Sequence, residues 1–243
     1  TVVAAMGQMF YSLSIAMGIL ITFGSYMKKE TSLEDSTRNV EVFDTAIAIM
    51  AGLMIIPAVF SFSGGDPDTL QAGPALMFIT IPKVFENMGF GTVVGILFFL
   101  LVLFAAVTSS IALTESAVST FEDELGWSRR RATVLVGVIM IALGSLSSLG
   151  YGPLVGIKII GMQFLDFFDF LTNSVMMPIA AMLTSLFVSR IVGMKRMEEE
   201  IMHGESTFRR KKIFIVMIKY LCPLFAAIIL ISSVANAFGI ITM

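Results

Sequence analysis

The chain has 243 residues, of which 56% are hydrophobic and 14% charged, with a net charge of −2 and a mean hydropathy of +0.90. A water-soluble domain carries about a quarter charged residues, so an integral membrane protein is expected. One cysteine (Cys222) and one histidine (His203) leave no disulfide framework, histidine-based metal centre or Ser-His-Asp triad, and there is no GxxxxGK[ST] loop. Neither an enzyme nor a nucleotide-driven pump is expected.

Six apolar runs follow one another, at roughly 3–26, 43–63, 87–121, 131–150, 160–191 and 212–241. Each reaches the ~20 residues that a spanning helix needs, and together they make a single all-α transmembrane domain over 1–243. The third and fifth exceed that length, which predicts tilt or extension beyond the bilayer. The first run is unusual in its middle. Gly7-Gln8-Met9-Phe10-Tyr11-Ser12-Leu13-Ser14-Ile15-Ala16-Met17-Gly18 places hydroxyls and glycine where a plain span would carry more leucine. Two readings are open: an ordinary helix whose serines bond their own backbone, or a helix that opens and bares carbonyl and N–H groups. An opening is tolerated only where it faces protein or a water-filled cavity.

The connections are legible too. Ser63-Gly64-Gly65-Asp66-Pro67-Asp68 is a turn-rich outer loop, and Gly73-Pro74 with Ile81-Pro82 predicts a folded lid after it. In Phe121-Glu122-Asp123-Glu124-Leu125-Gly126-Trp127-Ser128 a helix ends at Gly126 and Ser128 can cap the next, with Trp127 as an interfacial anchor. Basic residues fix the orientation. Lys28, Lys29, Arg38, Arg129, Arg130, Arg131, Arg190, Lys195, Arg196, Arg209, Arg210, Lys211, Lys212 and Lys219 fall on one side of the zigzag, against Lys83 and Lys158 on the other. Positive charge stays inside. The loops near 28–41, 122–130 and 192–211 are therefore expected in the cytoplasm of a cell with an inner membrane, and both termini outside. Glu198, Glu199 and Glu200 read as a solvated helix face.

Acids inside spans are functional hypotheses by default. Asp44 begins the second span, where a helix dipole also favours it. Asp166 and Asp169 stand early in the fifth, where outer water could reach them. Glu115 lies deep in the third and must face a cavity, be protonated or pair with another helix. The cluster Ala105-Ala106-Val107-Thr108-Ser109-Ser110 has two readings as well. Small residues and hydroxyls glue helices together in membranes. Alternatively, the Thr108 and Ser109 hydroxyls with the Ala105 carbonyl one turn earlier supply three oxygen donors to a hard cation.

With these residues in view, the chain resembles the second half of a bacterial neurotransmitter:sodium symporter of the leucine-transporter fold, from the sixth helix to the eleventh. The resemblance rests on Gly7 to Ser14 (GQxFxSLS), Ala51 to Phe60 (AGLxIxPAVF) and Thr108 to Leu125 (TSSIAL…FEDEL), and it spans essentially the whole chain. It implies half of an inverted-repeat fold whose first helix is unwound at mid-membrane, a feature best known from this family itself. It also implies sodium-coupled uptake of an amino acid by alternating access. Tyr11, Ser12 and Ser14 would meet the substrate ammonium group, and Met17, Ser109 and Leu113 would join Tyr11 around its side chain. The wall of Met and Leu suits a branched or aromatic amino acid.

Two sodium sites are implied: Ser12 with Asp44, and Ala105 with Thr108 and Ser109. Asp44 stands where relatives use Asn, and Ala48 occupies the neighbouring chloride position, so chloride is not expected to be required. Asp166 takes the place of the outer gate acid. Ala16 replaces a glycine. Helices one to five are not in these residues; an N-terminal half is the expected partner, alongside substrate and lipid, and the half alone is expected to be inactive. Two alternatives remain: proton coupling through Glu115 or Asp44, and a non-transporting membrane subunit.

Overall fold

The computed structural model describes residues 2–62, 73–204 and 207–240. Eight helices carry the fold: α1 Val2–Ser12, α2 Ile19–Ser25, α3 Leu33–Phe62, α4 Ile81–Glu86, α5 Gly91–Leu125, α6 Arg129–Leu149, α7 Phe164–Ile201 and α8 Lys211–Ala237. Five of them, α3 and α5 to α8, are long and apolar enough to cross a membrane. The sixth expected span, 3–26, is split between α1 and α2, which are 11 and 7 residues long.

Helix ends overrun the apolar runs where capping chemistry allows. α3 starts well before the apolar run at 43, because the Ser32 hydroxyl accepts the Asp35 N–H (3.0 Å) and Glu34 and Asp35 occupy the dipole-favoured first turn. α5 stops at Gly126, whose φ is +62° and whose N–H donates to the Glu122 carbonyl. Trp127 then stacks on Phe121 at 5.6 Å. Ser128 does stand at the N-cap of α6, but it caps through its carbonyl, which takes the N–H groups of Arg131 and Ala132. Its hydroxyl makes no capping bond. The expected lid is folded, with a π-helical turn at Leu76–Thr80 leading into α4 and Pro82 in that helix's first turn. Ser63 to Asp68 lies outside the described residues.

The chain forms two compact units, residues 1–38 with 112–243, and residues 39–111. In the first, Met177–Phe187 of α7 packs along Cys222–Ala237 of α8, and α1 lies against both α8 and the π-helical turn Phe170–Met176 of α7. Val118 of α5 buries against Ala132 and Val136 of α6, backed by Ala117 and Phe121. The buried Ser185 hydroxyl donates across to the Ile218 carbonyl, inside another π-helical turn at Met217–Leu221. An extra residue in a π turn displaces a backbone bond, and the serine meets the carbonyl there. In the second unit, aromatic pairs tie the lid to the start of α5: Phe85 meets Phe98 edge-on at 5.4 Å and Phe78 stacks on Phe99 at 6.0 Å. The apolar window of α5 is nowhere buried inside the chain. A surface of that kind needs lipid or another protein segment to cover it.

Candidate functional site

The break between α1 and α2 is built by two crossed backbone bonds. The Ile15 N–H donates to the Phe10 carbonyl at 2.9 Å, and the Ser14 N–H to the Tyr11 carbonyl at 3.0 Å. This is the Schellman ending of a helix, which places a residue in the left-handed region, usually glycine. Here Ser14 takes it, with φ +53°. Ala16 follows at φ +64° and Gly18 at φ +79°, and α2 starts from there. Among the described residues, the carbonyls of Leu13, Ser14, Ile15 and Ala16 do not receive the i+4 bonds of a continuing helix. The plain-helix alternative is thereby excluded, and the chain bares main-chain oxygens in the middle of its first apolar run. The Tyr11 carbonyl is already an acceptor, so any ligand bond to it would use its second lone pair.

Tyr11 and Gln8 line a cavity of about 460 Å³ whose far wall is the π-helical turn of α7 and the end of α8, including Asp169, Asn173 and Ser233. Asn173 Nδ2 donates to Asp169 Oδ1 at 2.5 Å. Asp166, one turn earlier on α7, does not line this cavity. Its charge acts elsewhere: partial burial first, and Asp166 second, hold the Tyr151 phenol above its usual value. Sequence reasoning left Asp169 without a role, since the spacing Asp166-Phe167-Phe168-Asp169 does not say which carboxylate turns inward.

On α5 the Thr108 hydroxyl lies 3.0 Å from both the Phe104 and Ala105 carbonyls, and Ser109 follows it. The Thr108 hydroxyl and the Ala105 carbonyl thus share one edge of the helix, and Ala105, Thr108 and Ser109 are all exposed. Ser110 turns to its own helix, donating to the Ala106 carbonyl at 2.7 Å. Leu113 stands one turn past Ser109, and Asp44 is half-buried in the second turn-pair of α3. Tyr11, Ser12, Ser14, Met17, Leu113 and Asp166 belong to the first compact unit; Asp44, Ala105, Thr108 and Ser109 belong to the second.

Glu115 resolves its three options by pairing. Arg129 Nη2 donates to its Oε2 at 2.5 Å, the Tyr26 hydroxyl donates to Oε1 at 2.7 Å, and Arg129 Nη1 reaches Glu122 at 3.3 Å. The sequence held only the spacing of the two acids. Glu115 and Glu122 stand two turns apart on one face of α5, and Arg129 follows the Gly126 reversal that folds α6 back over that face. The side chain of Glu115 is 18% exposed, so removing its partner leaves a carboxylate poorly hydrated. Arg129→Ala is therefore expected to lower the melting temperature of the detergent-solubilised protein, and Glu115→Gln in that background to restore part of the loss. Additive losses in the double variant would show that the pair is uncoupled.

The comparisons with known proteins bear on the family and the fold. The family model for the sodium:neurotransmitter symporter family matches residues 2–240. The chain belongs to that family. An uncharacterized sodium-dependent transporter of Bacillus subtilis, YhdH, is 31% identical over all of this chain and 52% of its own length. One of Haemophilus influenzae is 33% identical over 94% of this chain and 49% of its own. In the crystal structure of MhsT in complex with L-phenylalanine, 51% of that chain superposes on 95% of this one with a TM-score of 0.84 at 36% identity. The chain thus spans about half the length of the curated relatives it matches, and its fold is the leucine-transporter fold over that half.

Proposed function

We propose that these residues are the C-terminal half of a secondary symporter that couples inward sodium movement to uptake of a hydrophobic amino acid, branched or aromatic, by alternating access. The observation that carries the reading is the Schellman-ended break at Ser12 to Gly18, which bares carbonyls in an otherwise apolar run. The family membership supports sodium as the coupling ion, and the L-phenylalanine held by the structural neighbour supports the substrate class. In this reading Tyr11, Ser12 and Ser14 meet the substrate ammonium group, with Met17, Ser109 and Leu113 against its side chain. Ser12 and Asp44 serve one sodium ion, and Ala105, Thr108 and Ser109 a second; the convergence of the Thr108 hydroxyl on the Ala105 carbonyl suits an oxygen-seeking cation. Chloride is not required. Asp169, being the acid inside the cavity beside Tyr11, is better placed than Asp166 to close the outer side. The orientation follows the basic loops, cytoplasmic in the inner membrane, with the N-terminal half as partner and transport absent without it.

Proton coupling through Glu115 loses its motive, because Arg129 and Tyr26 already pair both oxygens of that carboxylate. The test is uptake into vesicles carrying the full-length transporter. Labelled L-phenylalanine and L-leucine should accumulate under an inward sodium gradient, and continue when chloride is replaced by gluconate. Accumulation driven by a proton gradient in the absence of sodium would overturn the proposal.

A further inference from the structure

We propose that Ser116 is a positioning residue that fixes the turn at Met17 and Gly18, and through it the wall against which the substrate side chain rests; this builds on the symporter reading above. Ser116 is buried in the last third of α5, 7% exposed. A serine inside a helix commonly returns its hydroxyl to the carbonyl four residues back, as Ser147 does to Leu143 and Ser110 to Ala106. Ser116 instead donates across to the Met17 carbonyl at 3.4 Å. A Cβ placed on Gly18 would fall 2.7 Å from the same hydroxyl oxygen, so the serine and the glycine fit each other without room for a methyl group.

The support beneath Ser116 is also specific. Ser119 and Thr120 both donate to the Ser116 carbonyl, at 3.1 and 2.8 Å. Ser119 in turn lies 3.3 Å from the Thr22 hydroxyl, while the Thr22 N–H donates to the Gly18 carbonyl to open α2. Ser116 and Ser119 sit one turn apart on α5 and so hold the chain on both sides of Gly18. Between them the Met17 carbonyl and the Gly18 backbone are held against α5. Helix glue alone would not explain why the contact falls on the left-handed residue that restarts the helix.

The test uses the full-length transporter, with L-phenylalanine affinity measured at saturating sodium and sodium affinity measured without amino acid. Ser116→Ala should weaken L-phenylalanine binding about three- to ten-fold while sodium affinity in the absence of amino acid stays within about two-fold. Gly18→Ala should weaken it by more than ten-fold, and Ser116→Gly in that background should return part of the loss because it removes the clashing oxygen. Ser116→Ala alone decides if Gly18→Ala cannot be purified. Wild-type phenylalanine affinity in Ser116→Ala, equal losses of both affinities, or additive losses in the double variant would each overturn the positioning role. A wild-type protein that binds no amino acid in the presence of sodium would instead remove the symporter reading on which the role depends.

Discussion

Thr108→Val in the full-length transporter should weaken sodium-stimulated amino-acid binding about 10- to 100-fold while the protein remains folded. Valine keeps the shape of threonine and loses its hydroxyl. In this structure that hydroxyl lies 3.0 Å from the Phe104 and Ala105 carbonyls, so in a purely structural role it only satisfies a helix that is already hydrogen-bonded, and its loss would change little. If a cation sits at this edge, the same substitution removes one of its oxygen donors. An interaction between a polar group and a charge contributes about 1.5–3 kcal/mol, which corresponds to the fold-change stated. Ser109→Ala should behave alike. Ser110→Ala is the control, because its hydroxyl is turned to the Ala106 carbonyl and should leave sodium dependence unchanged. Equal sodium dependence in Thr108→Val, Ser109→Ala and wild type would reduce the cluster to helix packing. The measurement is amino-acid binding titrated with sodium at constant ionic strength.

Much of the fold could be read from the residues because a membrane imposes a coarse rule. About twenty apolar residues must recur wherever the chain crosses, and α3 and α5 to α8 obey it. What hydropathy misses is backbone detail that adds no apolar residue and removes none. The π-helical turns at Phe170–Met176 and Met217–Leu221 leave composition unaltered, yet the first shapes the cavity beside Tyr11. Likewise Asp169 and Asp166 look equivalent in sequence until the local twist of α7 turns one of them inward. Arg129 was legible as a marker of the cytoplasmic side and illegible as the counter-ion of Glu115, since a basic residue at a helix start serves both purposes. Ser116 is one hydroxyl among many on α5, and nothing in its neighbours tells that it crosses to Met17 instead of bonding within its own helix. The break in the first run was visible in its serines and glycines. The hand of its backbone was not.

That hand leads to the second large effect. Ala16 holds φ +64° without being glycine, and a left-handed conformation costs an L-residue about 1–2 kcal/mol. Ala16→Gly removes this strain but gives the unfolded chain about 0.4–1 kcal/mol of extra conformational freedom. The net expectation is stabilisation by about 0.5–1 kcal/mol, seen as a melting temperature higher by a few degrees in detergent. Ala16→Val goes the other way. A β-branched residue at positive φ is a true outlier, and the cost passes about 2 kcal/mol. The chain can escape it only by giving up the turn, which would re-aim the carbonyls of Leu13 to Ala16. Ala16→Val should therefore lower the melting temperature and weaken amino-acid binding by more than about ten-fold, both losses arising from one backbone angle. The pair of variants isolates that angle, because neither glycine nor valine adds or removes a polar group. Should valine bind and melt as wild type does, the segment does not hold the left-handed turn at Ala16, and the bared carbonyls would lose their structural basis.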